Sequence, residues 1–388
     1  MRILKVSDVY FPRVNGVSTS IETFRRDLLG LGHEVTLVAP RYAAEPVAVN
    51  TAASAPIVRI EARSVPRDPE DRLMSWRGLN ATLEALAGQR FDVVHIHTPF
   101  LAHYAALRVA RKFRIPVVAT YHTLFEEYLH HYVPVLPRAL TRPAARRFSR
   151  SQCNQLDAII APSLAMRDAL LDYGVKRRIE ILPTGLPGER FVRGDGASFR
   201  ARHGIAADRP VLLFVGRAAH EKNIGFLLRM VAELRRRQPS VLLLVAGEGP
   251  AAADLRALAA QLQLGESVRF MGYFDRGGEL QDCYRAADLF VFASLTETQG
   301  LVLLEAMAQA VPVVGIPRMG TIDILGPGRG CRHAPLDIQG FATVVDETLR
   351  DRGRLQELAT DADAYSAEWA SRRMAERLAA LYASVAGA

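Results

Sequence analysis

The sequence predicts an α/β protein with two doubly wound domains. Short apolar segments of strand length alternate with helix-like segments through both halves of the 388 residues. These segments are apolar throughout, as strands of a parallel sheet covered by helices on both faces must be. A stretch rich in glycine and turn-forming residues, Thr184–Ser198, separates the two series. Ligands of such domains bind at the carboxyl ends of the strands.

Twelve segments are predicted as strands. The first half contains Ile3–Val6, Glu34–Ala39, Val58–Ile60, Val93–His95, Val117–Tyr121, Ala158–Ala161 and Glu180–Leu182. The second half contains Val211–Val215, Leu242–Ala246, Val268–Phe270, Leu289–Ala293 and Val313–Gly315. Predicted helices include Ser18–Leu31, Leu79–Ala87 and an amphipathic helix around Glu368–Val385.

The composition is that of an ordinary soluble protein, 49% hydrophobic and 23% charged, with a net charge of +8. A basic balance suits nucleic acid, an anionic membrane or an anionic substrate. The chain has no zinc-finger spacing and no aromatic RNA-binding pattern, so we expect no nucleic-acid partner. Cys153, Cys283 and Cys331 are too few for a disulfide framework, which favours the reducing cytoplasm. The first residues are typical of a strand, not of a signal peptide.

The segment Ser294–Pro312 carries the clearest chemical signal. An apolar strand leads into a loop with Glu297, and a helix is predicted to begin near Gly300 and to carry Glu305. A helix start offers unpaired N–H groups and partial positive charge, which suit a diphosphate. Carboxylates on either side of such a group can hold hydroxyls. This arrangement fits a sugar nucleotide.

A basic loop, Val215–Ile224, follows the first strand of the second half. Arg217 and Lys222 could together neutralise one diphosphate, since arginine offers a planar fork and lysine a point charge. A solvated basic loop is the simpler alternative. The position at a strand end, in the same half as Glu297, favours ligand binding.

Two signals in the first half are weaker. Gly16, in the loop after the first strand, would let a ligand approach the backbone, with Ser18 or Thr19 capping the next helix, although a plain turn explains it equally well. His122 follows another strand and is a candidate for sugar contact. A packed histidine with satisfied hydrogen bonds is the simpler alternative.

An arginine-rich segment lies between Tyr128 and Leu156, where there is no acidic residue and no lysine. Arg142, Arg146 and Arg150 form one helical stripe if Pro143 lies at the start of a helix. Such a stripe beside apolar residues suits an anionic membrane surface. An ordinary solvated helix face remains the alternative.

The turn GEGP, at Gly247 to Pro250, is similar to a phosphate-binding turn but lacks the lysine of a P-loop. Ala252 stands where the full dinucleotide fingerprint requires glycine, so packing or nucleoside contact is favoured over NAD binding.

Taken together, these motifs resemble those of retaining glycosyltransferases of family 4, which have the GT-B fold. The carriers are FPRVNGV, TYHT, GRAAHEKN, GEGP and TETQGLVLLEAMAQAVPVV, in this order along nearly the whole chain. The resemblance implies two facing Rossmann-like domains with a C-terminal helix that crosses back to the first. It implies an acceptor-binding domain of residues 1–190 plus about 366–388, and a nucleotide-sugar domain of residues 191–365.

The resemblance also implies roles for individual residues. Arg217 and Lys222 would bind the diphosphate, Glu297 the sugar hydroxyls, and Glu305 the ribose. His122 would contact the sugar near the reacting carbon. The complete implied donor-binding set is Gly16, Arg217, Lys222, Glu297, Thr298, Gln299, Gly300, Leu301 and Glu305.

The family resemblance implies a hexosyltransferase that needs no metal and no cofactor besides its co-substrate. We expect a UDP-sugar donor, with GDP-mannose as the alternative. The segment YHTLFEEYLHHYV and the form TETQG are similar to the subgroup that glucosylates diacylglycerol. A lipid acceptor at the inner face of the plasma membrane is therefore expected, with a saccharide of surface-polysaccharide assembly, or a soluble polyol, as alternatives.

Other function classes share parts of this pattern. A UDP-sugar epimerase has the same two-domain architecture but lacks this ordered set of motifs, and it needs no acceptor. A catalytically inactive sugar-nucleotide-binding protein would not need every donor-side residue. A dehydrogenase would need the complete dinucleotide fingerprint.

Overall fold

The computed structural model describes residues 1–13, 15–42, 56–65, 68–122, 138–274 and 278–387. The chain forms two compact units. Unit 1 comprises Met1–Gly185 and Ser371–Ala388, and unit 2 comprises Leu186–Ala370. The predicted α/β class, with two doubly wound domains and a last helix that returns to the first, is confirmed. The sequence-based boundaries, after residue 190 and near residue 366, remain predictions.

Unit 1 is built on a parallel sheet of seven strands in the order β3-β2-β1-β6-β7-β8-β9. A separate antiparallel hairpin, β4–β5, accompanies it. The strands are β1 (Arg2–Val6), β2 (Glu34–Pro40), β3 (Ile57–Ile60), β4 (Ala62–Val65), β5 (Asp68–Met74), β6 (Val93–Ile96), β7 (Val117–Thr120), β8 (Ala158–Ala161) and β9 (Arg178–Ile181). The described helices are α1 (Gly16–Gly30), α2 (Trp76–Ala87), α3 (Leu101–Phe113), α4 (Arg138–Cys153) and α5 (Leu164–Asp172).

Unit 2 has a parallel sheet of six strands in the order β12-β11-β10-β13-β14-β15. The strands are β10 (Val211–Val215), β11 (Leu242–Ala246), β12 (Val268–Gly272), β13 (Leu289–Phe292), β14 (Val313–Gly315) and β15 (Cys331–His333). The helices are α6 (Gly196–Arg202), α7 (Ile224–Leu234), α8 (Ala252–Gln261), α9 (Glu279–Arg285), α10 (Leu301–Ala308), α11 (Ile322–Leu325), α12 (Ile338–Arg350) and α13 (Arg352–Ala367). The last helix, α14 (Ser371–Ala386), belongs to unit 1.

The last helix contributes to the core of unit 1. Its buried residues Leu378, Leu381 and Tyr382 pack in one cluster with residues of the sheet such as Ile3 and Val93. Burial of large apolar side chains is the main favourable term in folding. Residues at the end of the sequence are therefore part of the fold of the first domain.

The start of α1 differs from the prediction. Asn15 is its N-cap, because its side-chain oxygen accepts a hydrogen bond of 2.8 Å from the N–H of Ser18. Ser18 and Thr19, the predicted caps, lie inside the helix. Asparagine is among the strongest N-cap residues.

The start of α4 also differs. The helix begins at Arg138, so Pro143 lies inside it and not at its N-terminus. Proline has no N–H, so the helix lacks one internal hydrogen bond at that point. The stripe of Arg142, Arg146 and Arg150 nevertheless lies on one continuous helix.

Candidate active site

Strands β10 and β13 are neighbours at the point where the strand order of unit 2 reverses. A doubly wound domain forms a crevice for ligands at the carboxyl ends of such a pair. Residues 216–223 follow β10, and residues 293–300 follow β13. The two loops that the sequence singled out thus leave the same edge of one sheet at its switch point.

Two hydrogen bonds fasten these loops to each other. The side-chain amide of Asn223 donates to the carbonyl of Ala293 at 3.1 Å, and the hydroxyl of Ser294 donates to the carbonyl of Glu221 at 3.3 Å. Asn223 has a left-handed backbone conformation with φ of 55°, which asparagine tolerates better than most residues. It thereby turns the chain from the loop into α7.

The fastened loops bring a cation and a carboxylate into contact. The ammonium of Lys222 donates to Glu297 Oε1, and the two side chains are 23% and 15% exposed. Arg217, on the same loop as Lys222, is exposed and makes no ion pair or hydrogen bond through its side chain within the described part of the chain. The loop therefore offers one paired cation and one available cation.

The GEGP turn supports the loop that carries Arg217. A Cβ atom on Gly247 would lie 2.0 Å from the carbonyl oxygen of Gly216, and one on Gly249 would lie 2.6 Å from that of Ala218. The N–H of Ala218 also donates to the carbonyl of Glu248 at 2.9 Å. Glycine is required at both positions of the turn because the two backbones touch, which is the packing role considered for this motif.

Helix α10 begins where the sequence predicted. Gly300 is its N-cap with φ of 95°, and as a glycine it has no side chain that could cap the first turn. Gly320 braces the preceding loop, since its N–H donates to the carbonyl of Glu297 at 2.9 Å. A Cβ atom there would lie 2.1 Å from the carbonyl oxygen of Thr298. Gln299 is buried. The N–H groups at this helix start are suited to a phosphate oxygen.

Glu305 lies on α10, as predicted, and it is almost fully buried. Its Oε2 accepts a hydrogen bond of 2.9 Å from the hydroxyl of Tyr284, and its Oε1 lies 3.6 Å from Arg190 Nε. A carboxylate has about four acceptor positions, so these contacts orient the group and leave capacity for a hydroxyl. Neither partner could be predicted from the sequence, because both are distant from Glu305 along the chain.

In unit 1, His122 stands beside a second histidine. His97 Nδ1 lies 3.2 Å from His122 Nε2, and the two rings are stacked. His95 lies beneath them, its ring 4.0 Å from that of His97, and it makes hydrogen bonds to the hydroxyls of Tyr382 at 2.5 Å and Thr120 at 2.8 Å. A row of imidazoles thus runs from α14 to the carboxyl end of β7.

Burial keeps these imidazoles uncharged. It lowers the pKa of His122 to about 3, and the charge of Lys5 contributes in the same direction. Burial also lowers the pKa values of His95 and His97 far below their ordinary value, and that of Lys5 to about 7. His122 is therefore a neutral hydrogen-bonding group at physiological pH.

The first loop of unit 1 is anchored by Asp8. Its carboxylate accepts hydrogen bonds from the hydroxyl of Thr98 at 2.7 Å and from the N–H of Ala102 at 3.1 Å, in the first turn of α3. Burial raises the pKa of Asp8 to about 6. A Cβ atom on Gly16, the first residue of α1 after this loop, would meet no atom of the described residues within 4 Å.

The arginine stripe of α4 is not uniformly exposed. Arg142 and Arg150 are exposed, but Arg146 pairs with Asp172 at 3.2 Å and lies 5.2 Å from the ring centre of Tyr173. Arg146 is thus already engaged within its own domain. Of the apolar neighbours of the stripe, residues 125 and 129 lie outside the described residues.

Two family models together match nearly the whole chain. The model described as Glycosyltransferase Family 4 matches residues 14–190, and the model described as Glycosyl transferases group 1 matches residues 196–369. The alpha-monoglucosyldiacylglycerol synthase of Streptococcus pneumoniae is 35% identical over 81% of this chain and 70% of that protein. The chain belongs to glycosyltransferase family 4.

Other family members are similar over comparable lengths. The alpha-monoglucosyldiacylglycerol synthase of Acholeplasma laidlawii is 29% identical over 81% of this chain and 80% of that protein. A GDP-mannose-dependent alpha-mannosyltransferase of Mycobacterium tuberculosis is 29% identical over 85% and 82% of the two chains. These relatives are named for different sugars, a glucosyl group in two of them and mannose in the third.

Solved structures confirm the GT-B fold. Sucrose-phosphate synthase from Thermosynechococcus elongatus has a TM-score of 0.79 at 20% identity and covers 99% of both chains. Anabaena HepE in complex with UDP has a TM-score of 0.77 at 17% identity, and the match covers 99% of this chain and 100% of the HepE chain.

The neutral histidines predict how the stability of the enzyme depends on pH. His95 stays unprotonated in the folded protein but binds a proton below about pH 6.5 when unfolded, so its contribution to stability falls as the pH falls. Between pH 7.5 and 5.0 this loss is about 2 kcal/mol. The variant His95→Gln should be less stable than the wild type at neutral pH. Its free energy of unfolding in urea should also fall by about 2 kcal/mol less than that of the wild type between pH 7.5 and 5.0.

Equal pH dependence in the wild type and His95→Gln would show that this imidazole is not held neutral.

Proposed function

We propose that this enzyme is a retaining hexosyltransferase that moves a sugar from a UDP-sugar to a hydroxyl group of diacylglycerol. The observation that carries the proposal is the contact of Lys222 with Glu297 at the switch point of unit 2, with Arg217 on the same loop. Positive charge and a sugar-binding carboxylate thus meet where this type of domain binds nucleotides.

In the proposed donor complex, Arg217, Lys222 and the N–H groups of residues 298–301 hold the diphosphate. Glu297 accepts hydrogen bonds from sugar hydroxyls, and Glu305, oriented by Tyr284 and Arg190, accepts them from the ribose. Gly16, at the start of α1, is proposed to let the donor approach the backbone of unit 1, because a side chain is absent there. No cofactor beyond the nucleotide sugar is part of the proposal.

The proposed transfer breaks the bond between the anomeric carbon and the diphosphate oxygen. The acceptor oxygen bonds to the same carbon on the same face, and its proton passes to the departing phosphate. The cations stabilise the charge that develops on the leaving group, so the proposed reaction needs no divalent metal. A covalent glycosyl-enzyme detected by mass spectrometry would contradict this route.

His122 is proposed to hold a sugar hydroxyl near the reacting carbon. As a neutral imidazole it can donate from one ring nitrogen and accept at the other. The contact with His97 engages one of these nitrogens and thereby orients the ring. The proposed role is positioning of the sugar and not proton transfer, because a pKa of about 3 keeps His122 from carrying a proton at neutral pH.

The acceptor proposal is supported by the two relatives named alpha-monoglucosyldiacylglycerol synthase. A second candidate, mannosyl transfer from GDP-mannose, is supported by the relatives named GDP-mannose-dependent alpha-mannosyltransferase. The two candidates use the same diphosphate site and differ in the nucleoside, the sugar and the acceptor. The alternative of a saccharide acceptor is tested by the same assay.

We further propose that the enzyme works in the cytoplasm as a peripheral protein at the inner face of the plasma membrane. No helix in the described ranges is long and apolar enough to cross a bilayer. The exposed Arg142 and Arg150 of α4 would contact anionic lipids, each contributing about 1 kcal/mol near the surface. Such binding weakens as salt screens the charges.

The donor and acceptor are tested by nucleoside-diphosphate release from a panel of UDP- and GDP-sugars, with and without anionic vesicles that contain diacylglycerol. We expect UDP release from one UDP-hexose to rise when diacylglycerol is present, with an α-linked glycolipid as product. Vesicles without diacylglycerol are the matched control.

Release from GDP-mannose alone would support the second candidate, and release that ignores diacylglycerol would contradict the lipid acceptor. Consumption of UDP-N-acetylglucosamine without any transfer would instead indicate an epimerase.

The charge pair is tested by Lys222→Met and Glu297→Gln. Each change removes a group that acts on the donor, so each should lower kcat/KM by about 10²- to 10³-fold while circular dichroism stays unchanged. The control is Arg236→Gln, which removes a surface ion pair with Glu233 in the same unit and should leave turnover within about twofold. Near-normal rates in both site variants would contradict the assignment of Lys222 and Glu297 to the donor site.

A further inference from the structure

Unit 1 has a depression on its surface that the proposed reaction does not use. It lies where the end of α4 meets the turn between α5 and β9, and it is lined by Arg150, Asn154, Gly174, Lys176 and Arg177. Three of these five residues are cations. We call it the basic depression.

Asn154 fixes the shape of the basic depression. Its side-chain oxygen accepts from the N–H of Lys176 at 2.8 Å, and its carbonyl accepts from Arg177 Nε at 3.0 Å. Its amide nitrogen donates to the carbonyl of Gly174 at 3.4 Å. Asn154 therefore holds the turn at three points, two through its side chain and one through its backbone carbonyl. These contacts fix the position of the backbone from which Lys176 and Arg177 extend.

Gly174 brings the third cation against the turn. It has φ of 83°, a conformation that favours glycine, and a Cβ atom there would lie 3.2 Å from Arg150 Cδ. The aliphatic part of Arg150 thus rests on the turn, which places its guanidinium beside the turn that carries Lys176 and Arg177. The arrangement joins residues that are more than 20 positions apart.

The positive charge of the basic depression is not balanced by the protein. Arg150, Lys176 and Arg177 are exposed, and none of them makes an ion pair with a carboxylate of the described ranges. The neighbouring arginines differ, because Arg146 pairs with Asp172 and Arg178 with Glu180. The carboxylates next to the depression are therefore already engaged.

We propose that the basic depression binds a phosphate group, at a site separate from the donor-binding loops of unit 2. Three cations around a concave surface favour a compact anion with several acceptor oxygens, and the arginines offer paired N–H donors for it. The phosphate can come from the headgroup of an anionic phospholipid or from free phosphate. The lipid source is expected, because Arg150 belongs to the helix proposed to face the membrane.

The test measures binding calorimetrically at low salt, with three probes added separately to the full chain. The probes are dihexanoyl phosphatidylglycerol below its micelle concentration, dihexanoyl phosphatidylcholine and inorganic phosphate. We expect saturable binding of the phosphatidylglycerol probe and weaker binding of the other two. Tighter binding of inorganic phosphate would identify free phosphate as the ligand, and binding of none of the three would overturn the proposal.

Lys176→Glu should weaken binding of the phosphatidylglycerol probe at least about tenfold, since it replaces a charge-assisted contact with a repulsive one. Lys176→Gln should give an intermediate loss. The control is Arg77→Glu, which makes the same charge change at an exposed position of α2 in the same unit and should leave the affinity unchanged.

If Lys176→Glu and Arg77→Glu lose the same affinity for the phosphatidylglycerol probe, binding depends only on the net charge of the protein. That result would overturn the proposed site. These measurements contain no sugar donor, so their outcome does not depend on the proposed transfer reaction. Circular dichroism and the urea unfolding midpoint of Lys176→Glu should equal those of the wild type, which separates a failed site from a misfolded variant.

Discussion

The proposed donor site depends on two loops that are hydrogen-bonded to each other at the switch point between β10 and β13. The side chains of Asn223 and Ser294 each donate a hydrogen bond to a backbone carbonyl of the opposite loop. These bonds hold the two loops together and place Lys222 in contact with Glu297. With no ligand, the two charges satisfy each other. A bound diphosphate would add negative charge that Lys222 and the available Arg217 can share, so the positive charge is already in place before the donor binds.

The interior of unit 1 imposes a second constraint. Lys5, His95 and His97 are buried side by side, and Lys5 Nζ has no hydrogen-bond partner in the described ranges. Such a group of bases is tolerated only if most of it stays uncharged. The same constraint extends to His122, which is kept neutral at the end of the row. Burial, together with the charge of Lys5, thereby keeps His122, the residue proposed to contact the sugar, in its unprotonated form.

Much of this could be predicted from the sequence because parallel strands and their loops leave a local pattern. Twelve of the described strands, the helix start at Gly300 and the position of Glu297 follow from apolar segments and the residues after them, whereas β15 was not predicted. Contacts between distant residues leave no such pattern. The ion pair of Arg146 with Asp172 and the contacts of Glu305 appear only in the folded chain. The hairpin β4–β5 was missed because its second strand, DPEDRLM, is mostly polar.

If the positive charge of unit 2 binds a diphosphate, calorimetric titration should distinguish UDP from uridine, because the two ligands differ only in the diphosphate. UDP should bind at least about tenfold more tightly than uridine, and Lys222→Met should remove most of this difference without changing the affinity for uridine. Equal affinities of the wild type for UDP and uridine would show that this charge does not bind the diphosphate.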